Sequence, residues 1–301
     1  MIQSIINRFI ILITPILPLS FVRMIAVRYV AGENQTKVLS IAKELNEKGF
    51  SATIDILGEH STSSDIANEV TNQYIELFRA INSNKLDCNI SVKPTHLGLD
   101  ISKDCAKVNL SSLLKVAKAT YNFLRIDMES SVVTDDTIEL YQYCKEKYSE
   151  VGTVFQAYLY RTEYDLKLFA KECNANFRLC KGIYTEKSDI AIQDRQKIND
   201  NYISLLHYAF TNNIYVGIAT HDLELVEKAY QLITRLNVPS DRFEFQVLYG
   251  VPMSGWLERH LKEGYKVRVY LPFGRDWYEY SLRRLKENPN IAGYILKNIF
   301  R

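Results

Sequence analysis

Glycine-rich phosphate loops are missing from this 301-residue chain. Neither G-x-G-x-x-G nor G-x-x-x-x-G-K-[ST] occurs, so a Rossmann or P-loop mode of nucleotide binding has no support. Cysteine is sparse: Cys88, Cys105, Cys144, Cys173 and Cys180 make an odd set with no C-x-x-C and no His/Cys pair at zinc spacing. That excludes a disulfide framework and a zinc ribbon, and indicates reduced thiols in a cytoplasmic compartment without a metal site. An excess of one charge is also lacking, with 37 basic against 35 acidic residues. Without a basic stripe there is no signature of a nucleic-acid partner. No apolar run reaches the roughly 20 residues that a spanning helix needs. The longest, FIILITPILPLSFV from Phe9 to Val22, is interrupted by Pro15 and Pro18 and flanked by Arg8 and Arg23. Its first reading is helices packed on the body of the protein, its second a patch lying on a membrane surface, its third a signal or spanning segment.

What is present is a regular alternation of two periods. Period-two or short apolar runs predict strands at Ser51–Leu57, Asn89–Lys93, Phe123–Asp127, Val154–Leu159, Phe177–Lys181, Tyr215–Ala219, Phe243–Leu248 and Lys266–Leu271. Helical patterns lie before and between them, at Asn34–Lys48, Asp65–Ile81, Leu113–Tyr121, Asp135–Tyr148, Glu163–Cys173, Ile190–Ala209, Leu223–Leu236 and Gly255–Lys262. Strands alternating with helices pair in parallel through right-handed crossovers, and eight such units predict an α/β fold closed into a (β/α)8 barrel. No linker breaks the pattern. The expected organisation is N-terminal helices over residues 1–50 and a barrel over residues 51–301. The strand exits carry Asp55 and Glu59, Lys93, Asp127, Gln156, Arg178 and Lys181, Thr220 and His221, Gln246 and Leu248, and Tyr270, which a barrel would bring to one rim.

The last part of the chain is the most pointed. Val267, Val269 and Leu271 alternate with Lys266, Arg268 and Tyr270, Pro272 and Gly274 are expected to turn the chain, and Asp276 to cap a final helix. On that helix Trp277, Tyr280, Arg283 and Arg284 share one face. Guanidinium forks grip a carboxylate or phosphate in two places. Taken singly, these residues have plainer readings too. Arg283 and Arg284 alone would be solvated bases, Tyr270 and Tyr280 core aromatics, Asp127 a cap and His221 a satisfied histidine. Lys93 or Lys181 at a barrel rim would also suit the Schiff-base chemistry of a class I aldolase-like lyase.

Eight blocks in one order narrow the choice: Asp55-Ile-Leu-Gly-Glu59, Ile90-Ser-Val-Lys93, Leu124-Arg-Ile-Asp127-Met-Glu129, Gln156-Ala-Tyr-Leu159, Arg178-Leu-Cys-Lys-Gly-Ile-Tyr184, Ala219-Thr-His-Asp222, Phe245-Gln-Val-Leu248-Tyr-Gly250 and Tyr280-Ser-Leu-Arg-Arg-Leu285. Together they resemble the monofunctional, bacterial-type proline dehydrogenase family, flavoenzymes that use FAD. The resemblance implies that Arg283, Arg284 and Lys93 hold the carboxylate of L-proline, with Asp127 near the ring nitrogen. It implies that Tyr184, Leu248, Tyr270 and Tyr280 enclose the ring, and that Glu59 pairs with the first arginine as a lid. Gln156, Arg178, Lys181, Gly182, Ile183, Thr220, His221 and Glu287 would bind FAD, with Arg178 near flavin N5. Hydride transfer to N5 would then yield 1-pyrroline-5-carboxylate, the first step of proline catabolism to glutamate. Electrons would pass to a membrane quinone, and the product to a separate pyrroline-5-carboxylate dehydrogenase. Such an enzyme would be cytoplasmic, peripheral on the inner membrane through its apolar N-terminal patch. Two departures from the family pattern stand out. Ile183 sits where many relatives carry alanine, narrowing a pocket wall, and Tyr249 replaces a histidine found in some. Tyr270 is retained, which favours proline over hydroxyproline. A barrel that has lost activity and serves as a membrane-associated binding protein is the remaining alternative, and the charged rim counts against it, because burying charge without use costs desolvation.

Overall fold

The computed structural model describes residue 23 and residues 28–172, 174–278 and 280–282. Eight strands, β1 (Ser51–Ile56), β2 (Cys88–Val92), β3 (Leu124–Ile126), β4 (Val151–Gln156), β5 (Asn176–Cys180), β6 (Tyr215–Ala219), β7 (Phe243–Leu248) and β8 (Val267–Phe273), pair in parallel in sequence order and close between β8 and β1. Helix α1 (Gln35–Glu47) precedes the barrel. The crossovers are α2 (Ser64–Ser83), α3 (Lys103–Ala119), α4 (Thr134–Lys145), α5 (Thr162–Phe169), α6 (Arg195–Thr211), α7 (Leu223–Leu236) and α8 (Trp256–Lys262). The expected (β/α)8 barrel is therefore the fold.

Short polar residues start these helices, as their chemistry dictates. Asn34, Ser63, Ser102, Asp194 and Asp222 accept from the amides of Lys37, Ile66, Cys105, Lys197 and Glu224. Each bond satisfies an amide that the first turn leaves open. Two of these caps correct the boundaries expected from periodicity. Ser102 starts α3 well before Leu113, and Asp194 starts α6 after Ile190.

Two strands also differ by more than one residue at an end. β4 begins at Val151 rather than Val154, and its Gly152 pairs with Arg125. A Cβ on Gly152 would lie 2.4 Å from the Asn176 carbonyl oxygen and 2.5 Å from an Arg125 nitrogen, so only glycine lets that guanidinium pass. Leu159 falls beyond the strand and makes an isolated antiparallel bridge to Ala191. β8 runs through Pro272 instead of turning there. Proline lacks an N–H, but here its carbonyl does the bonding, accepting from Ala31 at 2.8 Å. The turn comes at Gly274, whose φ of 138° suits glycine.

The alternation in the strands divides the barrel into two environments. Ile54, Val92, Leu179, Val247 and Leu271 face outward into one apolar cluster with Leu77, Leu113, Leu205 and Leu225 of the helices. The intervening residues are polar and face inward. Hydrogen bonds between strands that are not neighbours prove the direction, since only the interior connects them: Arg178 of β5 reaches Ser91 of β2 and Asp127, just past β3. The barrel interior is thus a polar network, and the apolar core lies between strands and helices. Among the described residues no helix is long and apolar enough to cross a membrane. Residues 9–22, Cys173, Arg283, Arg284, Leu285 and Glu287 lie outside the described residues.

Candidate active site

The C-terminal half of the barrel interior holds two buried ion pairs. Lys93, just past β2, donates to Asp55 of β1 at 2.5 Å. Asp55 is 1% exposed and also accepts from the Tyr74 hydroxyl of α2 at 3.1 Å. Burial would strip the proton from Lys93, but the charges of Asp55 and Asp127 outweigh it and raise the pKa above that of an ordinary lysine. A Schiff-base nucleophile needs the opposite, a lysine with its pKa depressed. The geometry therefore argues against the aldolase-like reading at this position.

The second pair is Arg178 with Asp127, at 2.8 Å. Arg178 uses every edge of its guanidinium, donating also to Gln246 of β7 at 2.6 Å and to Ser91 at 3.1 Å. Its face lies over the ring of Tyr270, 5.0 Å from the centroid. Tyr270 in turn donates its hydroxyl to the other oxygen of Asp127 at 3.1 Å. Burial, followed by the nearby carboxylates of Asp127 and Asp55, pushes the Tyr270 phenol well up, so it remains a donor. The result is a rigid patch of fixed charge below the rim, crossing from β5 to β8.

Around this patch the rim residues are held individually. Lys181 donates to Asp222 at 2.6 Å. Asp222 also takes bonds from Arg195 and Asn199, each at 3.3 Å, and caps α7. Burial alone would raise the Asp222 carboxyl, but Lys181 holds it down at about 2. With Lys181 and Arg195 against one carboxylate, this edge carries a surplus positive charge. Thr220 accepts from the Asp222 amide at 3.1 Å, and His221 accepts from the Leu248 amide at 2.9 Å, which fixes the imidazole against β7. Gln156, at the end of β4, donates to the Glu129 carbonyl at 2.8 Å. Glu129 is itself buried and bound by the amide and hydroxyl of Thr95.

The remaining candidates lie on the loops and the final turn, with the Glu59 charge acting on Lys93. Glu59 follows β1 and is half-buried, Ile183 is exposed and Tyr184 half-buried in the β5–α6 connection, and Tyr280 is buried in the final helical turn. Gly182 adopts φ of 110°, and a Cβ there would fall 2.1 Å from the Tyr158 ring. Gly182→Ala is expected to lower stability by about 2 kcal/mol through backbone strain and overpacking, read as a lower denaturation midpoint. An unchanged midpoint would mean that Tyr158 can move aside.

Sequence reasoning gave no role to Asp55, Ser91, Gln246, Glu129 or Asp222, although they pin the candidate residues. Their one signal was position, since Asp55 and Gln246 sit at strand exits. Their partners are 38 residues away for Asp55 and Lys93 and 68 for Gln246 and Arg178. No local pattern reports such pairing.

A barrel with fixed, buried charge at the C-terminal ends of its strands and ion-paired cations at the rim has the architecture of a (β/α)8 enzyme with its polar site at that end. Comparison with known proteins makes this specific. The family model described as "Proline dehydrogenase" matches residues 38–295. Proline dehydrogenase 1 of Bacillus subtilis subsp. natto is 37% identical over 279 residues, covering 93% of this chain and 92% of that protein. The proline dehydrogenase of Deinococcus radiodurans is 31% identical, covering 92% of this chain and 90% of that one. Among solved structures, proline utilization A from Bdellovibrio bacteriovorus, inactivated by N-propargylglycine, superposes with a TM-score of 0.81 at 26% identity. That likeness covers 88% of this chain but only 32% of the other, so this chain spans about a third of its length. This chain belongs to the proline dehydrogenase family, barrel oxidoreductases of proline metabolism.

Proposed function

We propose that this chain oxidises L-proline to 1-pyrroline-5-carboxylate with bound FAD, as the first step of proline catabolism to glutamate. The observation that carries the reading is the buried Arg178–Asp127–Tyr270 cluster beside the Lys93–Asp55 pair. Lys93, kept protonated, supplies a fixed positive charge for the substrate carboxylate, joined in this reading by Arg283 and Arg284. Because Asp55 pins the ammonium, the charge is in place before substrate arrives, which is a positioning contribution. Asp127, tied by Arg178 and Tyr270, sets the acceptor side near the substrate nitrogen. Tyr184, Leu248, Tyr270 and Tyr280 exclude water from the ring, with Glu59 closing over it.

The donor set at the β4–β6 edge fits a flavin dinucleotide. Lys181 and Arg195 leave a surplus positive charge suited to a pyrophosphate. Gln156, Arg178, Lys181, Gly182, Ile183, Thr220, His221 and Glu287 would hold the cofactor. When bound, FAD supplies the two-electron acceptor and passes electrons on to a membrane quinone. In this reading residues 1–50 form N-terminal helices, of which the stretch 9–22 faces the inner membrane, residues 51–301 form the barrel, and the protein is otherwise cytoplasmic. The reactive product would pass to a separate pyrroline-5-carboxylate dehydrogenase.

The test is the visible spectrum of the purified protein before and after anaerobic L-proline. Flavin absorbance that bleaches supports the reading. A flavin spectrum unmoved by proline refutes the substrate, and a protein that cannot take up FAD refutes the cofactor. In the same assay Arg284→Met is expected to raise KM for proline at least about 100-fold with flavin still bound, the loss of a bidentate charged contact. Unchanged KM would remove Arg284 from the carboxylate site.

A further inference from the structure

The opposite mouth of the barrel, formed by the N-terminal ends of the strands, encloses a cavity of about 540 Å³. That lies within the size range of small-molecule pockets, roughly 300–1,000 Å³. Four of its lining residues are cations, Lys85, Arg125, Lys266 and Arg268, against the carboxylates of Asp87 and Glu244. Glu244 is committed to Arg268, at 2.7 Å, with the exposed Lys266 at 4.0 Å from its other oxygen, and its carboxyl stays ionised as a result. Arg125 has no ion-pair partner among the described residues.

Arg125 is 2% exposed, yet every hydrogen bond it makes goes to a neutral acceptor: the carbonyls of Thr153 and Asn176 at 2.9 and 3.1 Å, and the Asn176 side-chain oxygen at 2.8 Å. Its Nε has no partner among the described residues. One face is covered by the Phe123 ring, 4.8 Å away. Gly152 lacks the Cβ that would collide with it, so the backbone is shaped to admit the guanidinium. Burial, and then the nearby Arg178 cation, drive its pKa down to about 9, and the carboxylates of Glu244 and Asp127 offset this only in part. A buried cation satisfied only by dipoles is costly, and an anion at the cavity would relieve it.

We propose that this N-terminal mouth binds a small oxyanion, a carboxylate or phosphate compound, with Arg125 as its buried anchor and Lys85 and Lys266 as exposed arms at the entrance. The site is separate from the catalytic rim, because its residues come from the first positions of the strands or the loops before them. Exposed lysines alone would not make a site. The anchor is the guanidinium with an open donor, and the volume leaves room for more than an inorganic ion.

The experiment uses the flavin-loaded full chain, melted in rising potassium phosphate or potassium citrate, with potassium chloride at matched ionic strength. The proposal expects a saturable rise in Tm of several degrees with phosphate, citrate or both, beyond that of chloride. Response to phosphate alone assigns a phosphate compound, and response to citrate alone a carboxylate. Lys85→Gln with Lys266→Gln, both exposed, should raise the half-saturating concentration at least threefold, while Lys181→Gln at the catalytic rim leaves it unchanged. Arg125→Met should abolish the response if it folds, and the lysine pair decides the matter if it does not. A rise matched by chloride, or no rise at all, overturns the proposal. So does a half-saturation moved by Lys181→Gln and not by the lysine pair, which would put the anion at the catalytic rim.

Discussion

Arg178→Met is expected to cost at least about 100-fold in kcat/KM for proline and about 3–5 kcal/mol in stability. Both losses have one origin. The substitution removes donors to Asp127, Gln246 and Ser91, and the cation over Tyr270. Among the described residues Asp127 would then keep one hydrogen bond, from the Tyr270 hydroxyl at 3.1 Å, with the charge of Lys93 acting on it without a bond. An uncompensated buried charge is among the few causes of so large an effect. Steady-state kinetics and urea denaturation measure the two losses separately. Adding Asp127→Leu should restore part of the stability, because it removes the orphaned charge, but none of the activity. A double variant no more stable than Arg178→Met would show that the two side chains are not energetically coupled.

Glu244→Ala should destabilise the barrel by a similar amount, about 3–5 kcal/mol, and loosen Gln246, which orients Arg178. Glu244 is 2% exposed and accepts from both Arg268 and Gln246. Its removal leaves Arg268 with one carbonyl partner, Ala52, at 2.7 Å. The same pair predicts acid lability. Burial by itself would raise the Glu244 carboxyl, but Arg268 holds it down at about 2 in the folded state, from an ordinary 4.5. The folded state therefore resists the proton, and the stability this confers, on the order of 3 kcal/mol, is present above pH 4.5 and lost as pH falls from there toward 2. Glu244→Gln cannot titrate and should flatten the stability profile in that window. An unchanged slope would assign acid unfolding to other carboxylates.

The fold was legible because hydrophobic period is a local property. A strand such as β7, Phe243–Leu248, shows its alternation within six residues. Its β/α alternation, repeated eight times, leaves little choice of topology. Boundaries were less legible where a cap or a glycine, rather than periodicity, sets them. Ser102 and Gly152 are such cases, and Pro272 reads as a breaker until its carbonyl bond to Ala31 is seen.

The candidate site divides in the same way. Lys93, Asp127, Arg178 and Tyr270 could be named from their places at strand exits and their likeness to a family, since chain order alone puts strand ends on one rim. By itself, then, the sequence determined the barrel, the rim and the family. Only the tertiary structure decided which face of each strand looks inward, which carboxylate neutralises which cation, and that Arg125 at the far mouth is left with neutral acceptors. The physical reason is range. Backbone periodicity and capping act over a few residues, whereas charge pairing depends on distances across the barrel, set only once all eight strands have closed.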